Sequence, residues 1–381
     1  MSEKIKLGEL GEVVSGSTPK TNIKDYWDGE ILWITPAEIQ EDDYYIADTQ
    51  RKITNLAVEK TNLKLLPKGT VLLSSRAPIG KVAICDNDMY CNQGFKNIIC
   101  SDRLENRYVY YFLKYNVEYI KSLGRGATFK EISKGIVENL EIPYIEKKEQ
   151  IEIANKLDKI TEILKIKKQQ IKQFDEIIKS QFVEMFENEK YPKKTLNEVT
   201  NKITDGSHNP PSGIEENEGY MMLSSQNIIN NSINYDNVRF LKKEDFEKEN
   251  LRTNLNRGDV LLTIVGTVGR TAIITDETNI TLQRSVAVLK PTEEINSIYL
   301  VGVINSDDVI RQLTKGAKGV AQKGIYLNDI KKILIPLPPI ELQNKFADIV
   351  KQIDKQKFES VIKAEKEIEK IQKNIYYKWG R

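Results

Sequence analysis

The sequence has very little of the side-chain chemistry that most enzyme sites need. Its 381 residues include one histidine, His208, and three cysteines, Cys85, Cys91 and Cys100. A single histidine excludes most Ser-His, Cys-His and His-metal sites, or makes them depend on that one residue. The cysteine spacing matches no zinc pattern, and an odd number of cysteines favours reduced thiols in a cytoplasm. We therefore expect no metal site and ordinary buried cysteines.

Long apolar runs and a phosphate-binding loop are also missing. No run approaches the roughly 18 apolar residues of a membrane span, and residues 1–4 lack the apolar core of a signal peptide. Because no Gly-x-x-x-x-Gly-Lys-Ser/Thr motif occurs, Gly80-Lys81 and Gly269-Arg270 are interpreted as tight turns that carry one cation each. We expect a cytoplasmic protein without a membrane partner.

The sequence repeats itself after about 190 residues. The offset drifts from 189 at the start of the repeat to 193 at its end, and the order of matches is the same in both halves. The matched positions are Leu7 with Leu196, Gly69 with Gly258, Gln93 with Gln283, Gly126 with Gly319, and Ile142 with Ile335. Such a long period indicates a duplicated domain with an attached helix. Segments 20–60 and 209–252 differ, as two readers of different targets would require.

Apolar patterning predicts an α+β fold for each repeat. Short apolar runs bounded by glycine, such as 70–73, 81–84 and 259–265, indicate buried strands, and segments 104–122 and 296–314 indicate helices. The predicted division of the chain is a first recognition domain at 1–145, a long helix at 146–189, a second recognition domain at 190–340 and a second long helix at 341–381.

Each repeat ends in a helix of about 40 residues, since segments 146–187 and 341–378 lack proline and glycine and space their apolar residues by three and four. The predicted seam positions are Leu157, Ile160, Leu164, Ile171, Phe174 and Ile178 in the first helix and Phe346, Ile349, Ile353, Ile368, Ile371 and Ile375 in the second. We expect the two helices to pair as an antiparallel coiled coil. The alternative is two amphipathic helices that pack only on their own domains.

Several motifs resemble the specificity subunit of type I restriction-modification systems, along the whole chain. They are Ser15-Gly-Ser-Thr-Pro19, Trp33-Ile-Thr-Pro-Ala-Glu-Ile39, Arg76-Ala-Pro-Ile-Gly-Lys81 and, before the second long helix, Pro338-Pro-Ile-Glu-Leu-Gln343. The first repeat departs from this pattern, because segment 143–150 lacks the double proline. We expect a modified turn there.

The resemblance implies two target recognition domains, separated by two long antiparallel helices, in an internal pseudo-two-fold repeat. It implies binding to double-stranded DNA at a bipartite asymmetric target. It also implies two partner methyltransferase subunits, which carry S-adenosylmethionine and methylate adenine at N6, and restriction subunits as further partners. The chain itself would hold no cofactor and no catalytic residue.

One segment imitates a methyltransferase motif. Asn209-Pro-Pro-Ser212 resembles the loop that holds a flipped base, but serine replaces the stacking aromatic residue and no cofactor-binding glycine cluster precedes it. It is better explained as a turn after a strand at 198–204.

The predicted DNA contacts are polar and basic residues in glycine-containing loops, because cations bind phosphate and amide or guanidinium groups read base edges. The net charge of only +2 requires such local clusters. The first repeat contributes Arg76, Lys81, Asn92, Gln93, Lys96, Arg125, Thr128 and Lys130. The second contributes Ser207, His208, Asn209, Gln226, Asn227, Arg270, Gln283, Arg284, Lys315, Lys318, Gln322 and Lys323.

Helix length predicts the spacing of the two half-sites. A helix of 40 residues is about 60 Å long, which limits their separation to roughly 18 base pairs of DNA. We expect an insertion of one helical turn to change the unread gap and keep both half-sequences. Three alternatives stay open: a protein-binding coiled-coil scaffold, a standalone nuclease or methyltransferase, and a silent specificity subunit.

Overall fold

The apolar segments of each repeat form a mixed set of small sheets covered by helices. The computed structural model describes residues 3–76, 78–126, 130–187, 189–215, 219–275, 279–316 and 324–379, with side chains up to residue 371. The chain divides into two compact units: Met1–Lys167 with Ile362–Arg381, and Lys168–Val361. Each unit includes the parts of the long helices that pack on it, so these limits differ from the predicted four-part division, which stays a prediction.

Unit 1 contains three sheets in its described residues. Its strands are β1 (Lys4–Lys6), β2 (Gly11–Ser15), β3 (Trp27–Ile34), β4 (Tyr45–Ile46), β5 (Lys52–Ile53), β6 (Val71–Leu73), β7 (Val82–Cys85), β8 (Tyr90–Cys91), β9 (Lys96–Cys100) and β10 (Glu141–Pro143). Its helices are α1 (Leu7–Leu10), α2 (Asn55–Lys60), α3 (Asn106–Tyr115), α4 (Val117–Ser122), α5 (Lys134–Glu138), the first part of α6 (Lys147–Phe186) and the last part of α11 (Ile340–Trp379). The strand orders are β2-β9-β6-β7-β4, β5-β3-β8 and β1-β10.

The central strand β6 shows why this segment is a strand. Side chains alternate between the two faces of a sheet, and Val71 and Leu73 lie in one core cluster with Tyr108 of α3, whereas Leu72 lies in another with Ile34 of β3. All three β6 side chains are fully buried. Burial of each stabilises the fold by about 1.5–3 kcal/mol, so a continuous apolar run is required here.

Unit 2 repeats the same topology. Its strands are β11 (Lys193–Thr195), β12 (Thr200–Asp205), β13 (Met221–Leu223), β14 (Ile228–Ile229), β15 (Ser232–Ile233), β16 (Arg239–Phe240), β17 (Val260–Thr263), β18 (Thr271–Ile273), β19 (Ile280–Leu282), β20 (Val286–Pro291) and β21 (Leu334–Pro336). Its helices are α7 (Lys243–Thr253), α8 (Ser297–Ile304), α9 (Asp307–Gly316), α10 (Leu327–Ile330), the last part of α6 and the first part of α11 (Ile340–Trp379). The orders β12-β20-β17-β18, β16-β13-β19 and β11-β21 match those of unit 1. In the described residues, β4 of unit 1 pairs with β7, whereas unit 2 has the hairpin β14-β15 beside β18, the counterpart of β7.

The predicted domain helices 104–122 and 296–314 are each split in two. The break falls at Asn116 between α3 and α4, and near Asn305 between α8 and α9. In both cases the asparagine amide donates to the carbonyl four residues earlier, at 2.8 Å and 2.9 Å. This side-chain bond competes with continuation of the helix.

The two long helices are confirmed almost to the residue, as α6 and α11. Within unit 2 they run antiparallel, because Phe182 packs on Phe346 with ring centroids 5.6 Å apart and the earlier Asp175 pairs with the later Lys357. On α11, the predicted seam residues Phe346 and Ile353 are buried, and Ile349, Ile368 and Ile371 are half-buried. Side-chain description ends before Ile375.

On α6 the predicted seam residues differ in exposure. Ile160 is buried, Leu157, Phe174 and Ile178 are half-buried, and Leu164 and Ile171 are 54% and 38% exposed. Among the described helices, none is both long and apolar enough to cross a membrane.

Candidate nucleic-acid interface

In each unit, the loop that follows the first strand of the largest sheet contacts the turn that precedes the last strand of that sheet along the chain. A glycine in the loop permits this close contact. In unit 1, loop 16–18 follows β2 and lies against turn 91–94 between β8 and β9, and the Ser17 N–H donates to the Cys91 carbonyl at 2.9 Å. A Cβ atom at Gly16 would lie 1.8 Å from a backbone oxygen of the turn, so a larger residue would force the loops apart. We call residues 16–18 and 91–94 the first loop pair.

Unit 2 builds the same junction from loop 206–208 and turn 282–285, which we call the second loop pair. The Ser207 N–H donates to the Leu282 carbonyl at 2.7 Å, and a Cβ atom at Gly206 would lie 2.0 Å from that same oxygen. Ser207 is itself buried, which removes this predicted contact residue from the surface. His208 and Asn209 are exposed.

The predicted alignment of Gln93 with Gln283 is wrong by one residue. The Asn92 N–H donates to the last carbonyl of β3 at 3.0 Å, and the Gln283 N–H donates to the last carbonyl of β13 at 2.8 Å. Asn92 therefore corresponds to Gln283, and Gln93 to Arg284. The cause is the longer chain between β18 and β19, residues 274–279, compared with residues 86–89.

This corrected register places different side chains at one exposed position. Gln93 and Arg284 are both exposed, and in unit 1 the Thr18 hydroxyl is bonded to the Gln93 side chain. Gln226, also exposed, lies beside the second loop pair, because the Ser225 N–H donates to the Ser285 hydroxyl at 3.0 Å. The two units therefore present an amide and a guanidinium at one equivalent exposed position of a shared scaffold.

Two predicted DNA contacts, the half-buried Lys81 and the exposed Arg270, also bond to backbone carbonyls of their own unit. The Lys81 ammonium donates to the carbonyls of Pro36 and Ile39 at 2.9 Å and 2.6 Å. Arg270 donates to the Ile228 carbonyl at 3.4 Å, and Ile228 corresponds to Ile39. Both cations hold the chain that leaves a short 3-10 helix, Pro36–Glu38 in unit 1 and Ser225–Asn227 in unit 2. The tight turns before them are confirmed by positive φ angles at Gly80 and Gly269.

Three further predicted contacts bond within their own unit, of which Lys96 and Asn227 are buried and Asn92 is half-buried. Lys96 is 8% exposed and pairs with Glu131 at 3.3 Å. Asn227 is 4% exposed, accepts from the Ser224 N–H at 2.9 Å and donates to the Asn234 carbonyl at 3.1 Å. The Asn92 side chain accepts from the Gly94 N–H at 2.8 Å. Sequence reasoning could not detect these roles, because the partners are set by tertiary contacts.

A second group of predicted cations lies beside the first loop pair. The Ser75 N–H donates to the Gly94 carbonyl at 2.7 Å, and the Ser75 carbonyl accepts from the Ile132 N–H at 3.0 Å. These bonds hold three segments together: turn 91–94, the Ser75-Arg76 segment that follows β6, and the loop that carries Arg125. Arg125 and Lys130 are exposed, and Arg76 is half-buried. In unit 2, the predicted contact Lys315 is exposed at the end of α9. Thr128, Lys318, Gln322 and Lys323 lie outside the described residues.

Sequence reasoning missed two arginines that brace the loop pairs. The guanidinium of Arg51 lies over the Trp27 ring, 3.9 Å from its centroid, and the Trp33 indole N–H donates to the Ser17 carbonyl at 3.2 Å. In unit 2, Arg239 donates to the Pro211 carbonyl at 3.0 Å. Arg51 and Arg239 occupy equivalent edge positions of the three-stranded sheets, so no signal short of the strand register would have paired them.

The exposed His208 is held from inside the second loop pair. Its Nε2 lies 2.8 Å from Oδ2 of Asp205, whose side chain is only 9% exposed. The other Asp205 oxygen pairs with Arg252 in the last turn of α7, and the Arg252 Nε donates to the Asp205 carbonyl at 2.8 Å. The arrangement fixes one edge of the imidazole and leaves the other edge toward solvent.

The three cysteines lie in or against the cores of unit 1. Cys85 and Cys91 are buried as predicted, and burial raises the pKa of Cys91 to about 12, whereas Cys100 is partly exposed. Across the described ranges, no group of three or more His, Cys, Asp or Glu side chains is arranged to hold a metal ion. The Asn209-Pro-Pro-Ser212 segment lies outside any helix or strand, after β12.

A scaffold that appears twice, with different donors at equivalent exposed positions, defines a duplicated recognition protein. The sequence model of the type I restriction modification DNA specificity domain matches residues 2–174 and again 188–370. The chain therefore belongs to this family, which confirms both the resemblance and the α+β fold expected from the sequence.

Near full-length relatives and a solved structure agree with this assignment. The chain is 29% identical to the type I restriction enzyme MjaIX specificity subunit of Methanocaldococcus jannaschii over 97% of this chain and 89% of that protein. It is 25% identical to the MjaVIII specificity subunit of the same organism, over 98% and 90%. The fold is similar to that of a type I restriction-modification S subunit from M. genitalium, with a TM-score of 0.56, 17% identity and coverage of 100% and 96%.

Proposed function

We propose that the chain is the DNA-recognition subunit of a type I restriction-modification complex and that each unit reads one part of a bipartite, asymmetric target. The carrying observation is the pair of equivalent exposed positions, Gln93 in the first loop pair and Arg284 in the second. A shared backbone fixes where a base edge is met, and the different donor decides which base is accepted. Family membership and the relatives named as specificity subunits support the same function.

The proposed subunit supplies binding and address, and the methyl transfer belongs to its partners. Adenine N6 lies inside the duplex, so the partner methyltransferase must flip the base. Two methyltransferase subunits that carry S-adenosylmethionine, with restriction subunits as further partners, complete the proposed complex in the cytoplasm. The subunit itself is proposed to be non-catalytic; methylation of DNA by the purified chain alone would refute that.

The long helices offer apolar side chains for partner docking. Within unit 1, Leu164 and Ile166 of α6 are 54% and 43% exposed, and within unit 2, Ile171 and Ile177 are 38% and 47% exposed. Exposed apolar residues on a helix face are typical of protein contacts. We therefore assign Leu164 and Ile171, two exposed residues of the predicted seam, to contacts with a partner subunit.

The direct test maps N6-methyladenine in the host genome with the gene intact, deleted and restored. We expect a split, asymmetric motif to lose methylation on deletion and to regain it on restoration. Unchanged methylation would contradict the proposal. A mobility-shift assay with the full chain separates it from a protein-only scaffold, since DNA binding should weaken steeply with salt.

A further inference from the structure

We propose that Asp205 sets the hydrogen-bonding character of His208, and that His208 thereby selects a base carrying an exocyclic amine in the half-site of unit 2. The inference rests on the proposed function and adds a specificity residue and its positioning residue. His208 is the one histidine of the chain. Its side chain is 56% exposed, whereas the carboxylate behind it is buried.

Asp205 is anchored before it meets the histidine. It is the last residue of β12, and its carboxylate and its backbone carbonyl both accept from Arg252. Two bonds to one guanidinium leave Oδ2 as the oxygen that faces His208, at 2.8 Å from Nε2. A carboxylate accepts hydrogen bonds and does not donate them when ionised, so we assign the proton of the neutral ring to Nε2.

This tautomer decides what the outer edge can do. With the proton on Nε2, Nδ1 carries a lone pair and acts as an acceptor. The two Arg252 bonds hold Asp205 in place behind the ring, so its carboxylate keeps accepting from Nε2. In the major groove, an acceptor selects N6 of adenine or N4 of cytosine.

The Asp205–His208 pair of unit 2 is replaced by different side chains at the equivalent positions of unit 1. The equivalent of Asp205 is Ser15, and the equivalent of His208 is Thr18, whose hydroxyl is bonded to Gln93. The same backbone position therefore carries a short hydroxyl in one unit and an oriented ring in the other. Such a difference is what separate half-site preferences require.

The tautomer argument gives Asp205→Asn a specific consequence. Arg252 has donors only, so it would hold the asparagine carbonyl oxygen and turn the amide nitrogen toward Nε2. The amide then donates to Nε2, the imidazole proton moves to Nδ1, and the outer edge becomes a donor. The preferred base should shift from one with an amine to one with a carbonyl, guanine or thymine, on the same strand and at the same position.

The experiment restores the deleted gene with wild type, His208→Thr, Asp205→Asn or the control Lys332→Gln, and maps N6-methyladenine in each strain. Lys332 is exposed, in the segment between α10 and β21. We expect His208→Thr to lose base preference at one position of one half-site, and Asp205→Asn to shift that same position from amine to carbonyl bases. The control should leave the motif unchanged.

The outcomes are separable from those of the proposed function. If the wild-type gene restores no split motif, the proposed function fails. If it does, and His208→Thr leaves every position unchanged, the role of His208 is overturned. If His208→Thr broadens one position but folded Asp205→Asn keeps the original base there, the positioning role of Asp205 is overturned. If Asp205→Asn does not accumulate as folded protein, Arg252→Gln serves instead, and it should broaden that same position because Asp205 loses its anchor.

Discussion

Single polar residues of the loops divide into those that the fold uses and those that it leaves exposed. The half-buried Lys81 donates to two backbone carbonyls, and the buried Lys96 pairs with Glu131. Exposed donors at the loop pairs are the ones free to meet a ligand without disrupting the fold. This distinction separates residues that should affect stability from residues that should affect DNA specificity.

Arg284→Gln should change base preference without loss of stability. A bidentate contact between arginine and guanine discriminates by about 1–3 kcal/mol, so we expect one position of one half-site to change. Arg284 is exposed, and thermal unfolding should therefore match wild type. Genome-wide methylation mapping checks this, with Lys332→Gln as the charge-matched control; an unchanged motif would argue against base contact by Arg284.

Lys81→Met should lower stability and leave the methylated motif unchanged. Loss of hydrogen bonds from a charged donor costs about 1.5–3 kcal/mol, and the ammonium of Lys81 makes two to backbone carbonyls. We expect a lower unfolding midpoint in urea and an unchanged motif. The matched control, Lys68→Met, removes an exposed ion pair, which contributes about 0–1 kcal/mol. Equal effects of the two variants would contradict the structural role.

At the scale of elements, one buried glutamine joins each long helix to its own unit. Gln150 of α6 accepts from the Glu105 N–H at 2.8 Å and donates to the carbonyls of Arg103 and Ile145. Gln343 of α11 makes the corresponding set with Asn296, Glu294 and Pro338. Both glutamines are fully buried. The two units thus share this buried glutamine and its three hydrogen bonds as well as the strand topology.

Gln343→Ala should weaken unit 2. The substitution leaves the Asn296 N–H and two carbonyls without this partner, at about 1–3 kcal/mol for each buried group that stays unsatisfied. We expect a clear fall in the unfolding midpoint of the full chain. Gln356→Ala, at an exposed position of the same helix, is the control and should change little. Equal unfolding midpoints for both variants would show that the hydrogen bonds of Gln343 do not contribute to stability.

Local patterns allowed the elements to be predicted better than their contacts. Runs such as Val71–Leu73 and the uninterrupted α6 and α11 are set by apolar spacing and by the absence of proline and glycine. The breaks at Asn116 and Asn305 were missed, because the competing side-chain bonds do not alter the apolar pattern. The exposure of Leu164 was missed, because apolar spacing along one helix does not show which of its turns another part of the chain covers.

At the scale of the whole molecule, the two units have separate cores. Val71 belongs to one core cluster and Val260, its counterpart in β17, to another. Substitutions at distant sites without shared partners are usually additive. The two half-site preferences should therefore be independently adjustable.

Gln93→Ala and Arg284→Ala test this independence. Each single variant should alter one half of the methylated motif and leave the other half unchanged, and the double variant should show both changes together. Methylation mapping of the four strains, wild type included, provides the measurement. A single variant that altered both halves would contradict independent recognition.

The sequence by itself determined the duplication, the α+β class, the two 40-residue helices and the family, because these depend on repeated local patterns of apolar, glycine and proline residues. Only the tertiary structure decided which polar residues stay exposed. It aligned Gln93 with Arg284, enclosed Lys96 and Asn227, and brought Arg252 to Asp205 across 47 positions of sequence. Hydrogen-bond partners at such separations depend on strand register and loop length, which local spacing does not encode.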